Sequence, residues 1–182
     1  MGVSLAVFAS GNGSNFEAIA KKFNISLLVC DKPGAKVIER ASNYGVPSLV
    51  LSPKDYPSKD SYEEAILTRL KADNIGLIAL AGYMRIIGAT ILNEYENRII
   101  NIHPSLLPAF PGKDAVKQAY DYGVKISGVT VHYVDAGIDT GQIIDQRAVE
   151  VGESLEAFEK EIHKVEHQLY VDVLMSLNLK LK

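Results

Sequence analysis

Short apolar runs alternate with amphipathic stretches along the first half of the chain. Four apolar runs, at residues 3–9, 25–30, 48–51 and 76–81, predict buried strands. Between them, apolar residues recur at helical spacing, which predicts helices at 16–23, 35–44 and 58–73. This alternation of strands and helices predicts βαβ units and a parallel sheet.

The pattern changes in the second half of the chain. A fifth strand at 98–103 is predicted to run into a loop that contains three prolines, and a short helix is expected at 115–122. Two alternating segments, 126–134 and 142–149, predict an antiparallel hairpin with a long connecting loop. A long helix at 154–177 follows. The predicted fold class is α/β: a Rossmann-like, mostly parallel sheet with helices on both faces, a C-terminal antiparallel hairpin and a long C-terminal helix.

Length, charge and cysteine content narrow the classes of function. The 182 residues are 47% hydrophobic and 23% charged, which predicts one globular domain with a sizeable core. The 19 basic and 22 acidic side chains give a net charge of -3, which argues against a general binder of nucleic acid or of anionic membranes. No apolar run approaches the ~18 residues of a membrane span. A single cysteine fits a reducing compartment, so we predict a cytoplasmic protein.

The glycine-rich segment Ser-Gly-Asn-Gly-Ser-Asn at 10–15 follows the first strand and precedes a helix. Glycines let a ligand approach the backbone closely, and free N–H groups at this position bind anions. Asp31 lies 20 residues after Gly11, where a dinucleotide-binding motif carries its ribose-binding acid, but bulky Phe16 takes the place of the third glycine. We therefore favour a single phosphate bound by Gly13, Ser14 and Asn15. An ordinary βα turn is the alternative interpretation.

Two polar residues, Asn101 and His103, end the predicted fifth strand and face the same side of it. Open α/β sheets bind ligands at this edge. An asparagine amide can stabilise a developing oxyanion, and a histidine can move a proton near neutral pH. A polar cap on the strand end is the alternative. A carboxylate beside the imidazole would stabilise its charged form, and the loop at 134–141 offers both Asp135 and Asp139 for that role.

Other polar residues give weaker signals. The run Ala-Gly-Tyr-Met-Arg-Ile-Ile at 81–87 suits a flat heteroaromatic ligand, although a core connection between strand and helix is the simpler interpretation. His132 alternates with apolar strand residues, which favours a structural role. His163 and His167 have the spacing of helical metal ligands, but the sequence offers no third ligand, so no metal is predicted.

Taken together, these segments closely resemble the glycinamide ribonucleotide formyltransferases, the folate-dependent enzymes of purine synthesis. Ser-Gly-Asn-Gly-Ser-Asn, Ala-Gly-Tyr-Met-Arg-Ile, Asn-Ile-His-Pro-Ser-Leu-Leu-Pro and Asp-Thr-Gly occur in the order and spacing of that family over nearly the whole chain. The block that begins at Asn101 is shared by other 10-formyltetrahydrofolate enzymes. The glycine-rich segment at 10–15 points to the ribonucleotide enzymes among them.

The resemblance implies a formyltransferase fold and a specific reaction. The formyl group of 10-formyltetrahydrofolate would move to the amine of glycinamide ribonucleotide, giving formylglycinamide ribonucleotide and tetrahydrofolate without a metal. One domain at 1–182 would contain a phosphate-binding half at 1–81 and a folate-binding, catalytic half at 82–182. The expected partners are these small molecules, with no nucleic acid and no membrane, in a monomer or homodimer.

The resemblance also implies roles for individual residues. The catalytic residues would be Asn101, His103 and Asp139; the substrate would contact Gly13, Ser14, Asn15 and Glu166; and the cofactor would contact Lys59, Met84, Arg85, Ile86, Ile87 and Asn101. The sequence departs from the family pattern at four places, of which the first bears on the position of Asp31 and Lys32 and the other three on the substrate contacts of the last helix. They are a short stretch between the first helix and second strand, His163 for the usual glutamine or lysine, Val171 for a common proline, and the chain end at Lys182.

Three alternatives stay open at this point. A formyltetrahydrofolate deformylase would use the same three catalytic residues but normally carries an N-terminal regulatory domain, whereas the first strand here begins near Met1. A methionyl-tRNA formyltransferase normally carries a C-terminal RNA-binding domain, which the end at Lys182 and the negative charge oppose. A non-catalytic nucleotide-binding Rossmann module is the third, and Phe16 is the main objection to it.

Overall fold

The structure, a computed structural model, describes residues 2–177. Within this range the chain forms seven strands and six α-helices. Their order is β1 (Leu5–Ala9), α1 (Ser14–Ala20), β2 (Ile25–Cys30), α2 (Lys36–Asn43), β3 (Ser48–Val50), α3 (Lys59–Ala72), β4 (Leu77–Leu80), α4 (Ala89–Glu94), β5 (Ile99–His103), α5 (Ala115–Tyr122), β6 (Ile126–Tyr133), β7 (Ile143–Glu150) and α6 (Leu155–Ser176).

All seven strands form one sheet in the order β3-β2-β1-β4-β5-β6-β7. The first five strands are parallel, whereas β6 runs antiparallel to β5, and β7 antiparallel to β6. The predicted fold class is thereby confirmed. The strand order reverses between β1 and β4, and such a reversal opens a crevice at the carboxyl ends of the two strands, where α/β proteins bind ligands.

Two layers of helices cover the sheet. Along β1, Val7 faces a core built with α1, α2, α5 and α6, whereas its neighbour Phe8 faces a second core built with α3 and α4. Successive strand residues point to opposite faces, so both faces need apolar side chains, and this explains the continuous apolar run of β1. On β5, Ile100 and Ile102 belong to the first core and Ile99 to the second. Asn101 and His103 therefore share the face of α3 and α4.

Helix ends follow their sequence signals. Ser58 and Ser61 form a reciprocal capping box before α3, with the Ser58 hydroxyl accepting from the Ser61 N–H at 3.1 Å. Ser154 caps α6 by accepting from the Ala157 N–H at 3.2 Å. Gly45 follows α2 with a φ of 68°, as expected for a residue that ends a helix. These contacts fix the ends of helices that the periodicity alone places only approximately.

Helix α4 was not predicted from the sequence. It contains six residues, fewer than two turns, and buries Ile91 fully beside α3. Such a short helix shows no repeated apolar spacing, because one buried residue cannot establish a period. None of the helices between residues 2 and 177 is long and apolar enough to cross a membrane.

Helix α6 is fixed to the centre of the sheet by a buried tyrosine. The Tyr170 side chain is fully buried, and its hydroxyl donates to the Leu80 carbonyl at 2.8 Å, with the Ile100 carbonyl at 3.2 Å. These carbonyls belong to β4 and β5, so one hydroxyl connects the last helix to two central strands. Burial raises the pKa of Tyr170 well above its ordinary value, which keeps the hydroxyl protonated as a donor.

Tyr170→Phe is expected to lower the free energy of unfolding by about 1–3 kcal/mol, because it leaves a buried carbonyl without its donor. For a chain of this size, each kcal/mol corresponds to a fall in Tm of about 2–4 °C. Urea unfolding and thermal denaturation would measure the change. Tyr122→Phe is the matched control, since the Tyr122 side chain is 79% exposed. Equal stability of both variants and the unsubstituted protein would show that the hydroxyl contributes nothing.

Candidate active site

Three polar segments meet at the carboxyl edge of β1, β4 and β5. The segment at 10–15 follows β1, that at 81–88 follows β4, and the proline-containing loop follows β5. The first two are joined directly: the Ser10 N–H donates to the Gly82 carbonyl at 3.1 Å, and the Met84 N–H donates to the Ser10 hydroxyl at 2.9 Å. The topology therefore places segments that are distant in sequence beside one another at the point where the strand order reverses.

The turn before α1 is held rigidly by α2. Gly13 has a φ of 78°, and a Cβ atom there would lie 2.5 Å from Cγ2 of Val37. The Arg40 guanidinium donates to the Asn12 carbonyl at 2.8 Å and also pairs with Glu17 of α1. Gly13 is thus required by packing as well as by backbone conformation. The sequence drew attention to the glycines but gave no sign of the partner residues on α2.

Antiparallel pairing of β5 with β6 builds the central polar cluster. Asn101 lies opposite His132, and His103 lies opposite Thr130. Directly opposed residues of an antiparallel pair point to the same face, so these four side chains line one surface. Sequence reasoning found the pair on β5 but assigned His132 a structural role. The signal that was available is the alternation Thr-x-His on β6, which mirrors Asn-x-His on β5.

Asp139 and not Asp135 lies beside His103. Nδ1 of His103 is 3.4 Å from Oδ2 of Asp139, which also accepts from the Gly112 N–H at 2.7 Å. Asp135 instead accepts from the Gly137 N–H and the Thr140 hydroxyl within its own turn. Spacing alone left the two aspartates equivalent and only the family resemblance favoured Asp139; in the structure Asp139 is the one whose carboxylate lies beside the imidazole.

The other ring nitrogen of His103 faces the loop after β5. Its Nε2 lies 2.8 Å from the Phe110 carbonyl, so both ring nitrogens face oxygen atoms that can only accept hydrogen bonds. The His103 side chain is only 6% exposed, and Asp139 is 12% exposed. Water therefore has little access to the pair, which strengthens its electrostatic interaction.

A buried threonine fixes the loop that follows His103. The Thr130 hydroxyl donates to the Ser105 carbonyl at 2.7 Å and accepts from the Leu107 N–H at 3.1 Å. The Gln146 amide of β7 donates both to this hydroxyl and to the Leu107 carbonyl. Two strands, β6 and β7, thus hold the loop by hydrogen bonds, and the prolines within it further restrict its backbone.

A cavity of about 500 Å³ lies beside the segment at 81–88. Its wall combines Lys59 at the start of α3 with the four residues Met84–Ile87, which are the predicted cofactor contacts other than Asn101. Met84 and Ile86 are 65% and 57% exposed, so apolar side chains stand open at its mouth. The three predicted catalytic residues do not line this cavity.

Arg85 forms an ion pair that bears on the dinucleotide alternative. Its Nε lies 2.9 Å from Oδ2 of Asp31, whose side chain is only 2% exposed. Asp31 is therefore engaged within the protein, where a ribose could not reach it. Phe16 is completely buried in the core between α1 and the sheet. Both observations argue against a dinucleotide-binding module.

Glu166 lies in α6, apart from the cluster on β5 and β6. It is 6% exposed, and its Oε2 lies 2.8 Å from Nδ1 of His163. This hydrogen bond raises the pKa of His163, whereas burial lowers the pKa of His167. Helix α6 packs against α1, which begins at the glycine-rich segment.

No group of three or more His, Cys, Asp or Glu side chains that could hold a metal occurs in the described part of the chain.

Comparison with known proteins identifies relatives over nearly the whole chain. The formyl transferase family matches residues 3–174. A phosphoribosylglycinamide formyltransferase of Bacillus subtilis is 56% identical over 181 residues, which cover 94% of this chain and 93% of that protein. The trifunctional purine biosynthetic protein adenosine-3 of Drosophila melanogaster is 41% identical over 184 residues, covering 95% of this chain and 14% of that protein.

A solved structure has the same fold. The crystal structure of glycinamide ribonucleotide transformylase 1 from Geobacillus kaustophilus has a TM-score of 0.94 and 59% sequence identity. The match covers 97% of this chain and all of that chain. The sheet order and helix layers described above are therefore those of a known enzyme fold.

Gly13→Ala is expected to destabilise the fold by roughly 1–3 kcal/mol, because it combines a left-handed backbone with a collision against Val37. Chemical denaturation would measure the loss. Gly11→Ala is the matched control, since nothing lies within 4 Å of its Cβ position, and its stability should stay within about 0.5 kcal/mol. Equal stability of the two variants would contradict the packing role of Gly13.

Proposed function

The chain belongs to the formyl transferase family, and we propose that it transfers the formyl group of 10-formyltetrahydrofolate to the amine of glycinamide ribonucleotide. The observation that carries this proposal is the convergence of Asn101, His103 and Asp139 at the same carboxyl edge of the sheet that carries the glycine-rich segment. Acyl transfer needs a donor for an oxyanion, a group that moves a proton and a fixed charge beside it. In this proposal the Asn101 amide is the donor, His103 moves the proton and Asp139 is the fixed charge.

The reaction would begin with attack of the neutral substrate amine on the formyl carbon. Negative charge then develops on the formyl oxygen, where the Asn101 amide and the His103 imidazole would stabilise it. One such donor contributes about 10²–10³ in rate. The Phe110 carbonyl, now 2.8 Å from Nε2 of His103, must move aside for that nitrogen to reach the formyl oxygen.

A proton must then pass from the attacking amine to N10 of the folate, which leaves as the C–N bond to the formyl carbon breaks. His103 would carry it, directly or through one water molecule. Positioned proton transfer contributes about 10²–10⁴. Asp139 would hold the ring in place and stabilise its charged form during the transfer.

The two ligands would occupy different parts of the crevice. We propose that Gly13, Ser14 and Asn15 bind the phosphate of the ribonucleotide and that Glu166 contacts the same substrate. Asn15 would meet the phosphate through an N–H group, because its side-chain oxygen can only accept. That oxygen is buried and has no hydrogen-bond partner within the described residues, so it suits a hydroxyl or N–H donor of the same substrate. The backbone turn at Gly13, fixed by Val37, keeps this segment in one conformation.

The folate would enter the cavity beside Met84–Ile87. Its volume of about 500 Å³ falls within the range of small-molecule pockets, and its wall mixes apolar and aromatic side chains with a few charged groups. A flat heteroaromatic ring suits the apolar part. Lys59, about half exposed at the rim, suits a carboxylate on the tail of the cofactor. A cytoplasmic location and a monomeric or homodimeric state remain predictions.

Purified protein is expected to convert 10-formyltetrahydrofolate to tetrahydrofolate only when glycinamide ribonucleotide is present, with formation of the formylated ribonucleotide. Folate absorbance and mass spectrometry of the product would follow the two halves of the reaction. A deformylase, which is the second candidate because it would use the same three residues, would instead release formate without the ribonucleotide. That result would overturn the proposed acceptor.

His103→Ala and Asp139→Asn are each expected to lower kcat by about 10²–10³, because each disturbs charge stabilisation at the formyl oxygen. Asp139→Asn retains the size of the side chain and a carbonyl oxygen for the Gly112 N–H, so it isolates the effect of charge. Steady-state kinetics at matched Tm would measure the loss. Asp135→Asn, in the same loop but bonded only within its turn, should retain turnover. Equal turnover in Asp135→Asn and Asp139→Asn would remove the catalytic assignment of Asp139.

A further inference from the structure

The buried strand β6 does not need a histidine at position 132 for its packing. It is 2% exposed on β6, where an apolar residue would pack against the same core. Both of its ring nitrogens instead have polar partners. Nδ1 lies 2.8 Å from the Tyr133 carbonyl, and Nε2 lies 3.3 Å from Nδ2 of Asn101 on the neighbouring strand.

These contacts determine where the hydrogen on the ring resides. The Tyr133 carbonyl can only accept, so Nδ1 of His132 must carry a hydrogen. In the neutral ring, Nε2 then presents a lone pair and accepts from the Asn101 amide. The Asn101 side chain must therefore present Nδ2 to His132, because its carbonyl oxygen would face another acceptor. The orientation of the amide follows from the bond that His132 makes at its far side.

We propose that His132 is a positioning residue for the transfer reaction, because its neutral ring orients the Asn101 amide and leaves the second N–H of Nδ2 free for the formyl oxygen. The inference rests on the proposed function of Asn101. An amide that could rotate freely would present its carbonyl oxygen to the developing negative charge for part of the time. Fixing the donor in advance avoids that reorganisation during the reaction.

The charged groups around His132 define the pH at which this arrangement fails. Oδ1 of Asp139 lies 3.7 Å from Nε2, and Asp135 and His103 also act on the ring, whereas β7 presents only apolar Ile143 opposite it. Burial is the largest influence and lowers the pKa of His132 below its ordinary value of 6.5. The neutral form therefore persists below pH 6.5 and is lost as the pH falls through the lowered pKa.

Protonation would reverse the role of Nε2. The charged ring carries a hydrogen there, which Asp139 or the carbonyl oxygen of a rotated Asn101 side chain would accept, so Asn101 loses the acceptor that orients its Nδ2. The loss of activity in acid then includes a step caused by His132.

Two substitutions test the proposal by kinetics. His132→Gln offers an acceptor that does not titrate, so kcat should stay within about 3-fold and the acid limb of the pH profile should move to lower pH. His132→Phe removes the acceptor and should lower kcat by about 10- to 100-fold, which is less than the loss expected when the Asn101 donor itself is removed. The KM for the ribonucleotide should change little. In an Asn101→Ala background, His132→Phe should cost less than about 2-fold, because the group that it positions is gone.

The contrary results are equally specific. A loss in His132→Phe that is just as large in the Asn101→Ala background would overturn the proposal, as would a His132→Gln variant with an unchanged acid limb. If circular dichroism shows that His132→Phe does not fold, the pH profile of His132→Gln and the NMR spectrum of the His132 ring decide.

Nitrogen-15 NMR of the unsubstituted protein should show a hydrogen on Nδ1 of His132 and none on Nε2 at neutral pH. The reverse result would also overturn the proposal. Because NMR needs no turnover, an inactive protein would refute the proposed function and leave the ring assignment testable.

Discussion

The register between β5 and β6 is the constraint on which the rest of the site depends. It pairs Asn101 with His132 and His103 with Thr130, and all four side chains emerge on the face shared with α3 and α4. A slip of one residue along β6 would send its two polar side chains into the core beneath α6 and bring valines to the cluster. The hydrophobic pattern of β6 prevents that slip, since Val129 and Val131 are fully buried on the opposite face.

The loops acquire their shape from this same pairing. Thr130 lies next to His103 across the ladder and bonds both Ser105 and Leu107, so the chain that leaves β5 is fixed by the strand beside it. Asp139 belongs to the connection between β6 and β7, and its carboxylate bonds the Gly112 N–H of that fixed chain. The carboxylate therefore reaches His103 through two loops that are each held at several points. Neither loop depends on its own sequence alone for its position.

The sequence predicted most of the fold because strand burial and helix periodicity are local patterns. All seven strands and the five longer helices could be read in this way, whereas α4 could not, since six residues do not display a period. Site residues were found where a motif was continuous, as in the segment that begins at Asn101. The choice of Asp139 over Asp135, the support of Gly13 by Val37 and the contact between Asn101 and His132 all join distant parts of the chain. Such contacts depend on topology and register, which composition and spacing do not specify.

The two histidines of the cluster, His103 and His132, differ in the groups that face their ring nitrogens. Each has a backbone carbonyl at one nitrogen, so each carries a hydrogen there. At the second nitrogen they differ: Nδ1 of His103 lies 3.4 Å from Oδ2 of Asp139, whereas the nearer partner of Nε2 of His132 is the Asn101 amide at 3.3 Å, with Oδ1 of Asp139 at 3.7 Å. The amide donor favours a lone pair at Nε2 of His132, and burial lowers the pKa of that ring, so His132 stays neutral. In the proposed reaction His103 would move the proton while the neutral ring of His132 orients the Asn101 donor, so one polar cluster would perform both tasks.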